Sequence, residues 1–94
     1  MKARSAEETV RFIDIPNVGP AIADDFVRIG IKTPAQLAGS DPYVLYQTLN
    51  KKTGVRNDPC VLDTFIAAVD FMNGGSPKPW WHFTAMRKRV YPGV

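Results

Sequence analysis

Cysteine is nearly absent from this 94-residue sequence, in which Cys60 stands alone. A single cysteine cannot form an internal disulfide, the cross-link that commonly stabilises small secreted domains. The sequence also has no apolar run near the ~20 residues that a membrane-spanning helix needs. Its first residues, MKARSAEETVRF, lack the apolar stretch of a secretion signal. We therefore expect a cytoplasmic protein with no membrane partner.

Residue combinations that carry catalysis are missing as well. His82 is the only histidine, and together with Cys60 it cannot complete a zinc site. Cys60 begins an apolar segment, where buried cysteines are common, although a helix N-terminus would lower the pKa of an exposed thiol. The sequence offers no nucleophile–base pair, metal cluster or glycine-rich nucleotide loop. We expect a protein that is not an enzyme, with no catalytic residues and no metal ligands.

The clearest signals mark the ends of helices. Three prolines follow an N-cap type of residue, the usual order at a helix start: TP at 33–34, DP at 41–42 and DP at 58–59. Three glycines follow apolar segments of helical periodicity, as C-caps do: Gly30, Gly54 and Gly74. No segment alternates with period two, so we predict an all-α fold. Five helices are expected at roughly 6–13, 20–29, 34–38, 42–52 and 59–73, and a short helix near 84–90 could follow.

One of these helices should be central. Residues 59–73 are apolar at nearly every position, and only Asp63, Thr64 and Asp70 mark a polar side. A helix that is apolar nearly all round is normally enclosed by the rest of the fold. We expect one domain over residues 1–94, with its core at about 6–73.

Residues 74–94 combine a proline-rich connector, an aromatic cluster and a basic tail. We expect Trp80, Trp81 and Phe83 to cover one end of the core as a lid. Base stacking or a contact with a partner is the alternative, because a large exposed aromatic patch usually binds something.

Charge is distributed unevenly around a net value of +3. Between residues 6 and 25, five acidic side chains accompany a single arginine. Basic side chains cluster later in the sequence, where they are candidate contacts to a phosphate backbone: Lys51, Lys52, Arg56, Arg87, Lys88 and Arg89. A solvated surface and a solvated tail are the alternatives for these clusters.

The segment IPNVGPAIADDF at residues 15–26 resembles the helix-hairpin-helix motif, in which a hairpin containing proline and glycine leads into a helix. Three further stretches extend the resemblance from Thr9 to Trp81: GIKTPAQLAGSDPYVLYQTL, NDPCVLDTFIAAV and PWW. On these stretches the chain is identified as a member of the small bacterial pathogenicity-locus or mitomycin-resistance proteins. The resemblance implies a compact helix-hairpin-helix domain of the SAM-like type.

In helix-hairpin-helix domains, the hairpin and the start of the next helix offer backbone N–H groups to a nucleic-acid phosphate. For this sequence the resemblance implies weak, sequence-independent nucleic-acid binding by the backbone of Asn17, Val18, Gly19, Ala21 and Ile22. Unpaired N–H groups and the helix dipole favour an anion at such a place. Some proteins with the motif also hold a monovalent cation with hairpin carbonyl oxygens, and we expect no other cofactor.

The sequence departs from the motif at two places. Asn17 replaces the first glycine, which is a mild change because asparagine tolerates a left-handed backbone. DNA-binding examples usually carry lysine or arginine after the second glycine, where this sequence has alanines followed by Asp24 and Asp25. Acidic residues early in a helix complement its dipole, and both can pair with Arg28. A protein–protein interaction module that keeps the fold without binding DNA is therefore the alternative function.

Overall fold

Four α-helices and four short 3-10 turns make up the structure, a computed structural model that describes residues 2–94. The α-helices are α1 (Pro20–Arg28), α2 (Pro42–Thr53), α3 (Pro59–Met72) and α4 (Thr84–Val90). The 3-10 turns are Ala6–Glu8, Phe12–Asp14, Pro34–Leu37 and Trp80–Phe83. No β-strand occurs among the described residues, so the predicted all-α class is confirmed.

Helix α3 is the central element, as its composition predicts. Ten of its fourteen residues are buried, and its apolar side chains form most of the core with Ile15, Phe26 and Leu49. The expected polar side of this helix is wrong at two positions, because Asp63 is completely buried and Thr64 nearly so. Both side chains are satisfied by hydrogen bonds, which removes the cost of burying them.

Local capping chemistry explains where the long helices begin and end. The carboxylate of Asp41 accepts a hydrogen bond from the N–H of Tyr43 at 2.9 Å, and Asp58 does the same for Cys60 at 2.9 Å. Gly54 ends α2 in the left-handed region with a φ of 71°, which glycine adopts without strain. The predicted boundaries of α1, α2 and α3 are thus confirmed to within one residue.

The predicted helix at 6–13 is wrong, because the chain there makes two 3-10 turns with extended residues between them. The carboxylate of Asp14 accepts hydrogen bonds from the backbone N–H groups of Arg11 at 2.8 Å and Val10 at 3.2 Å. Such side-chain bonds compete with helical ones, and an eight-residue helix has little stability of its own. The helix predicted at 34–38 is likewise a 3-10 turn, so three of the five predicted helices remain. The fourth α-helix is α4, at the place of the short helix considered near 84–90.

The C-terminal residues pack against the helices, so the solvated basic tail considered above is wrong for Arg87, whereas the two basic residues that follow it are exposed. In α4, Arg87 is 8% exposed, and its Nε lies 2.8 Å from Oδ1 of Asp63. The Thr84 hydroxyl donates to the other carboxylate oxygen of Asp63 at 2.8 Å. Tyr91 stacks on Tyr43 with ring centroids 4.5 Å apart. These contacts fix α4 against α2 and α3.

The aromatic lid is confirmed only in part. Phe83 packs against the core, whereas Trp81 is 63% exposed and Trp80 is half-buried. Successive residues of a 3-10 turn point about 120° apart, since there are three residues per turn, so the three rings cannot all face the core. The two tryptophan rings meet edge to face, with centroids 5.7 Å apart.

Candidate functional site

The turn before α1, residues 15–19 and hereafter the first turn, is held tightly from inside. Ile15 and Val18 are completely buried, and the N–H of Val18 donates to the carbonyl of Ile15 at 3.1 Å. Asn17 between them has a φ of 73°, so the left-handed conformation predicted for this asparagine is confirmed. The first turn is therefore anchored by two buried side chains, while the start of α1 that follows it is exposed to solvent.

Three backbone N–H groups remain free at this place. Within residues 2–94, no acceptor binds the N–H of Gly19, Ala21 or Ile22, whereas the N–H of Val18 is occupied. Gly19 is the N-cap of α1 and has no side chain to cap the helix, and a Cβ atom added there would meet nothing within 4 Å. Val18 is thus removed from the five predicted donors. Gly19, Ala21 and Ile22 stand open at the helix N-terminus, and the N–H of Asn17, which also has no acceptor among the described residues, lies earlier in the turn.

The side chain of Asn17 binds a distant part of the chain. Its Nδ2 donates to the carbonyl of Lys78 at 2.7 Å, and its Oδ1 accepts from the N–H of Trp80 at 3.2 Å. This pair of bonds holds the connector, residues 74–79, and the exposed Trp81 beside the first turn. The contact spans 61 residues, and no local signal in the sequence indicates it.

A positive charge that the sequence analysis overlooked also lies at the first turn. The Nζ of Lys2 donates to the carbonyl oxygens of Ile13 at 2.6 Å and Val18 at 2.5 Å. The backbone N–H of Ala3 donates to the carbonyl of Asp14 at 2.7 Å, which keeps the N-terminal residues alongside.

The two aspartates of α1 differ in their surroundings. Asp25 lies 3.4 Å from Arg28, which confirms the predicted pairing for this residue. Burial raises the pKa of Asp25, and the charge of Arg28 opposes that shift. Asp24 is exposed and makes no ion pair with any residue that the structure describes. Its charge is therefore free to act on an approaching ligand.

A second turn, residues 54–58, joins α2 to α3 and carries the first basic cluster. Lys51 and Arg56 line one side of a shallow open groove with Gln47, Asn50, Gly54 and Val55. A second, smaller pocket on α2 shares Gln47 and Lys51 with this groove and adds Val44 and Thr48. Val44 and Val55 are 52% and 60% exposed, so apolar and cationic groups alternate on this surface.

The structure sorts the predicted basic residues into two groups. Lys51, Lys52, Lys88 and Arg89 are exposed, and Arg56 is exposed while donating to the carbonyl of Gly93 at 3.2 Å. That bond brings the C-terminal residues next to the second turn. Arg87 is not available as a phosphate contact, because its guanidinium is buried against Asp63 and those hydrogen bonds raise its pKa. We call the five exposed cations the basic surface.

Nothing in this geometry adds a reactive centre. Cys60 is partly buried, and burial together with the neighbouring Asp58 raises the pKa of its thiol, so the condition under which a helix N-terminus would lower that pKa is not met. Residues 2–94 contain no group of three histidine, cysteine or acidic side chains placed to hold a metal ion. Within the same residues no helix combines the length and the apolar character that crossing a bilayer requires.

Comparison with known proteins gives two matches. The model of the pathogenicity locus family, Cdd1, matches residues 5–89. A curated relative, the mitomycin resistance protein McrB of Streptomyces lavendulae, is 48% identical over 77 residues. That alignment covers 82% of this chain and 73% of the relative. No solved structure matches.

Proposed function

This chain belongs to the pathogenicity locus family, and from that premise we propose that it is a non-enzymatic helix-hairpin-helix module that binds the phosphate backbone of nucleic acids weakly and without sequence preference. The first turn is the hairpin of this proposal, and α1 is the helix that follows it. The free N–H groups of Gly19, Ala21 and Ile22 support this function most directly.

Backbone N–H groups at a helix start suit a phosphate for two reasons. They need an acceptor, and the helix dipole adds a partial positive charge at the same end. A phosphate is the same beside every base, so such contacts carry no sequence information. Three backbone donors without a lysine or arginine on α1 facing them predict low affinity.

The basic surface would add the salt-dependent part of binding. Each phosphate that a lysine or arginine neutralises contributes about 0.9 to the slope of log affinity against log salt on duplex DNA. With two or three such contacts we expect a slope of roughly −2 to −3 and a dissociation constant near the weak end of ~10⁻⁴–10⁻⁶ M.

Docking of another protein is the second candidate function, and the open groove of the second turn favours it. Exposed Val44 and Val55 beside Lys51 and Arg56 would suit a segment that carries both apolar and acidic side chains. In this case the first turn would serve only to join its neighbours at a fixed angle.

One substitution separates the two functions without weakening the fold. Gly19 has the extended backbone of an N-cap, with φ −99° and ψ −173°, and room for a side chain. Gly19→Asn would cap α1 through its own side-chain oxygen and occupy a donor that a phosphate would need, while stability stays equal or rises slightly. Gly19→Ala is the matched control, since it adds a Cβ but no acceptor.

Fluorescence anisotropy with labelled single- and double-stranded oligonucleotides at two salt concentrations tests the proposal. We expect the parent and Gly19→Ala to bind alike, and Gly19→Asn to bind several-fold more weakly at an undiminished melting temperature. Equal binding by all three proteins would remove the first turn from the interface. Submicromolar affinity for one sequence over scrambled controls, or no binding at low salt, would contradict the function itself.

A further inference from the structure

Two carbonyl oxygens, one just before the first turn and one within it, converge on one ammonium group. Lys2 Nζ is 2.6 Å from the oxygen of Ile13 and 2.5 Å from that of Val18, so both are hydrogen-bonded to the same nitrogen. Ile13 lies before the turn and Val18 within it, so this single charge ties the two ends of the turn together. The bond from Ala3 to Asp14 holds the backbone next to Lys2 in register.

Convergent carbonyl oxygens are a cation site in chemical terms. Backbone carbonyls replace the hydration shell of a dissolved monovalent cation when several of them face one point. Within the described residues, Lys2 makes no ion pair with a carboxylate, and its recorded partners are these two carbonyls. An ammonium group is close in charge and size to such an ion, and here the chain itself supplies it.

We propose that Lys2 is a tethered cation that fills the carbonyl site of the first turn and primes the N–H of Gly19 for an anion. The second half of this inference rests on the proposed function, and the first half does not. The carbonyl of Val18 and the N–H of Gly19 belong to one peptide unit, in which a trans bond points them to opposite sides. The ammonium therefore lies behind the peptide while the N–H faces solvent.

This arrangement has an electrostatic consequence. A charge that accepts electron density from the oxygen of a peptide polarises its N–H, since hydrogen bonds in a chain strengthen one another. Lys2 also places a positive charge at a turn whose following helix carries Asp24 and Asp25. It thus supplies from a distant residue the basic group that the beginning of α1 lacks, since Arg28 lies in the last turn of that helix, and acts as a positioning residue for the anion.

Thermal unfolding in different salts tests the tethered cation. Lys2→Met keeps the apolar stem and removes the ammonium. We expect the parent to melt at the same temperature in potassium chloride, sodium chloride and tetramethylammonium chloride of equal concentration. The variant should melt lower in tetramethylammonium, which is too large for the site, and recover part of the loss in potassium or sodium. Lys32→Met, at an exposed lysine, is the control and should show no ion dependence.

The proposal would be overturned if the melting temperature of Lys2→Met were the same in all three salts. It would also be overturned if the melting temperature of the parent changed between salts as much as that of the variant. If Lys2→Met does not fold, competitive acetylation of the parent replaces it. Lys2 should then react several-fold more slowly than Lys32 in the native protein and at the same rate in denaturant. Equal native reactivity would show that the ammonium is not held.

Oligonucleotide binding tests the second half. Lys2→Met should lower affinity several-fold in tetramethylammonium chloride, and potassium should restore part of it, a recovery that a purely structural defect would not give. If the parent binds and the variant binds equally, the priming role is wrong. If the parent does not bind oligonucleotides at all, the proposed function fails. The melting temperatures still decide whether the Lys2 ammonium occupies the carbonyl site.

Discussion

The two turns each contain a left-handed residue before a helix start, and each has one half of what the proposed phosphate site would need. The first turn has Asn17 at a φ of 73°, and the second has Gly54 at 71°, each shortly before a helix that begins with proline. The first leaves three N–H groups free and is followed by acidic residues. The second is flanked by lysines and arginine, but Asp58 already caps its helix.

The difference teaches that the geometry of a turn does not decide its ligand. A left-handed residue followed by a helix start produces unpaired donors in both places, and the N-cap side chain then determines whether they stay open. Glycine at position 19 leaves them open, whereas aspartate at position 58 closes them. The second turn therefore has cations but a capped helix start, whereas the first has open donors followed by acidic residues, with the Lys2 ammonium on the opposite side of the peptide. From that separation we expect weak binding.

The largest expected effect concerns the buried pair of Asp63 and Arg87, which holds α4 against α3 and thereby the C-terminal residues next to the second turn. Arg87→Met leaves the buried carboxylate of Asp63 without its guanidinium partner, which typically costs ~3–5 kcal/mol. The free energy of unfolding in urea should fall by that amount. Asp63→Leu combined with Arg87→Met removes both charges and should recover most of the loss. A loss below ~1 kcal/mol in Arg87→Met would mean that the pair is not buried in solution.

Asn17→Ala should have the next largest effect, now on the first turn. It removes two hydrogen bonds worth ~1 kcal/mol each and puts a Cβ-bearing residue without a polar side chain into a left-handed backbone at ~1 kcal/mol more. Asn17→Gly loses the same bonds without that strain and should be the milder change in chemical denaturation. If Asn17→Gly and Asn17→Ala lowered the free energy of unfolding equally, backbone strain would play no part. If neither variant lowered it, Asn17 would not hold the connector.

Replacing the two acidic residues that follow the first turn should increase DNA affinity, if their charge is what limits binding there. Each carboxylate at ~8–10 Å from a phosphate repels it by about 0.4–0.5 kcal/mol in water, and more where the site is partly desolvated. Asp24→Asn with Asp25→Lys should therefore raise DNA affinity about tenfold at low salt, equivalent to ~1.4 kcal/mol. Glu7→Lys with Glu8→Gln, at two other exposed acids, changes the net charge by the same amount and is the control. An unchanged dissociation constant in the anisotropy assay would refute the repulsion.

The smallest expected effect is on the pH dependence of stability, through the N-cap residue Asp58 at the end of the second turn. The N–H of Cys60 lowers the pKa of Asp58, so its ionised form favours the folded state. That stabilisation is complete above the unfolded pKa near ~3.9 and disappears as pH falls through the lower folded value. Asp58→Asn keeps an acceptor at the cap and cannot titrate. Its melting temperature should fall less steeply on acidification than that of the parent, and parallel curves would contradict the shift.

Sequence reasoning succeeded where the causes are local. The starts of α1, α2 and α3 at Pro20, Pro42 and Pro59 follow from residues within one turn of each helix. Burial of α3 follows from composition alone. The free N–H groups of Gly19, Ala21 and Ile22 were also predictable, because a glycine N-cap and a proline leave them without partners.

The remainder depends on contacts between distant residues. Lys2 reaches Val18 across 16 residues, Asp63 meets Arg87 across 24, and Asn17 meets Lys78 across 61. Periodicity cannot indicate such pairs, since they depend on how the helices pack. The missing helix at 6–13 has a related cause: Asp14 captures backbone N–H groups, and side-chain competition of this kind is weakly visible in a hydrophobic pattern.

Both tryptophans of the chain are neighbours in one segment, and this gives the protein an internal optical probe. Trp80 is tied by its backbone to Asn17, and Trp81 is mostly in solvent. Their emission therefore describes the junction of connector and first turn together with the contact between the Trp80–Phe83 turn and α3. A fluorescence transition that comes before the loss of helical circular dichroism would record release of the connector from an otherwise folded domain. A ligand seated on the first turn should change the same emission without any attached label.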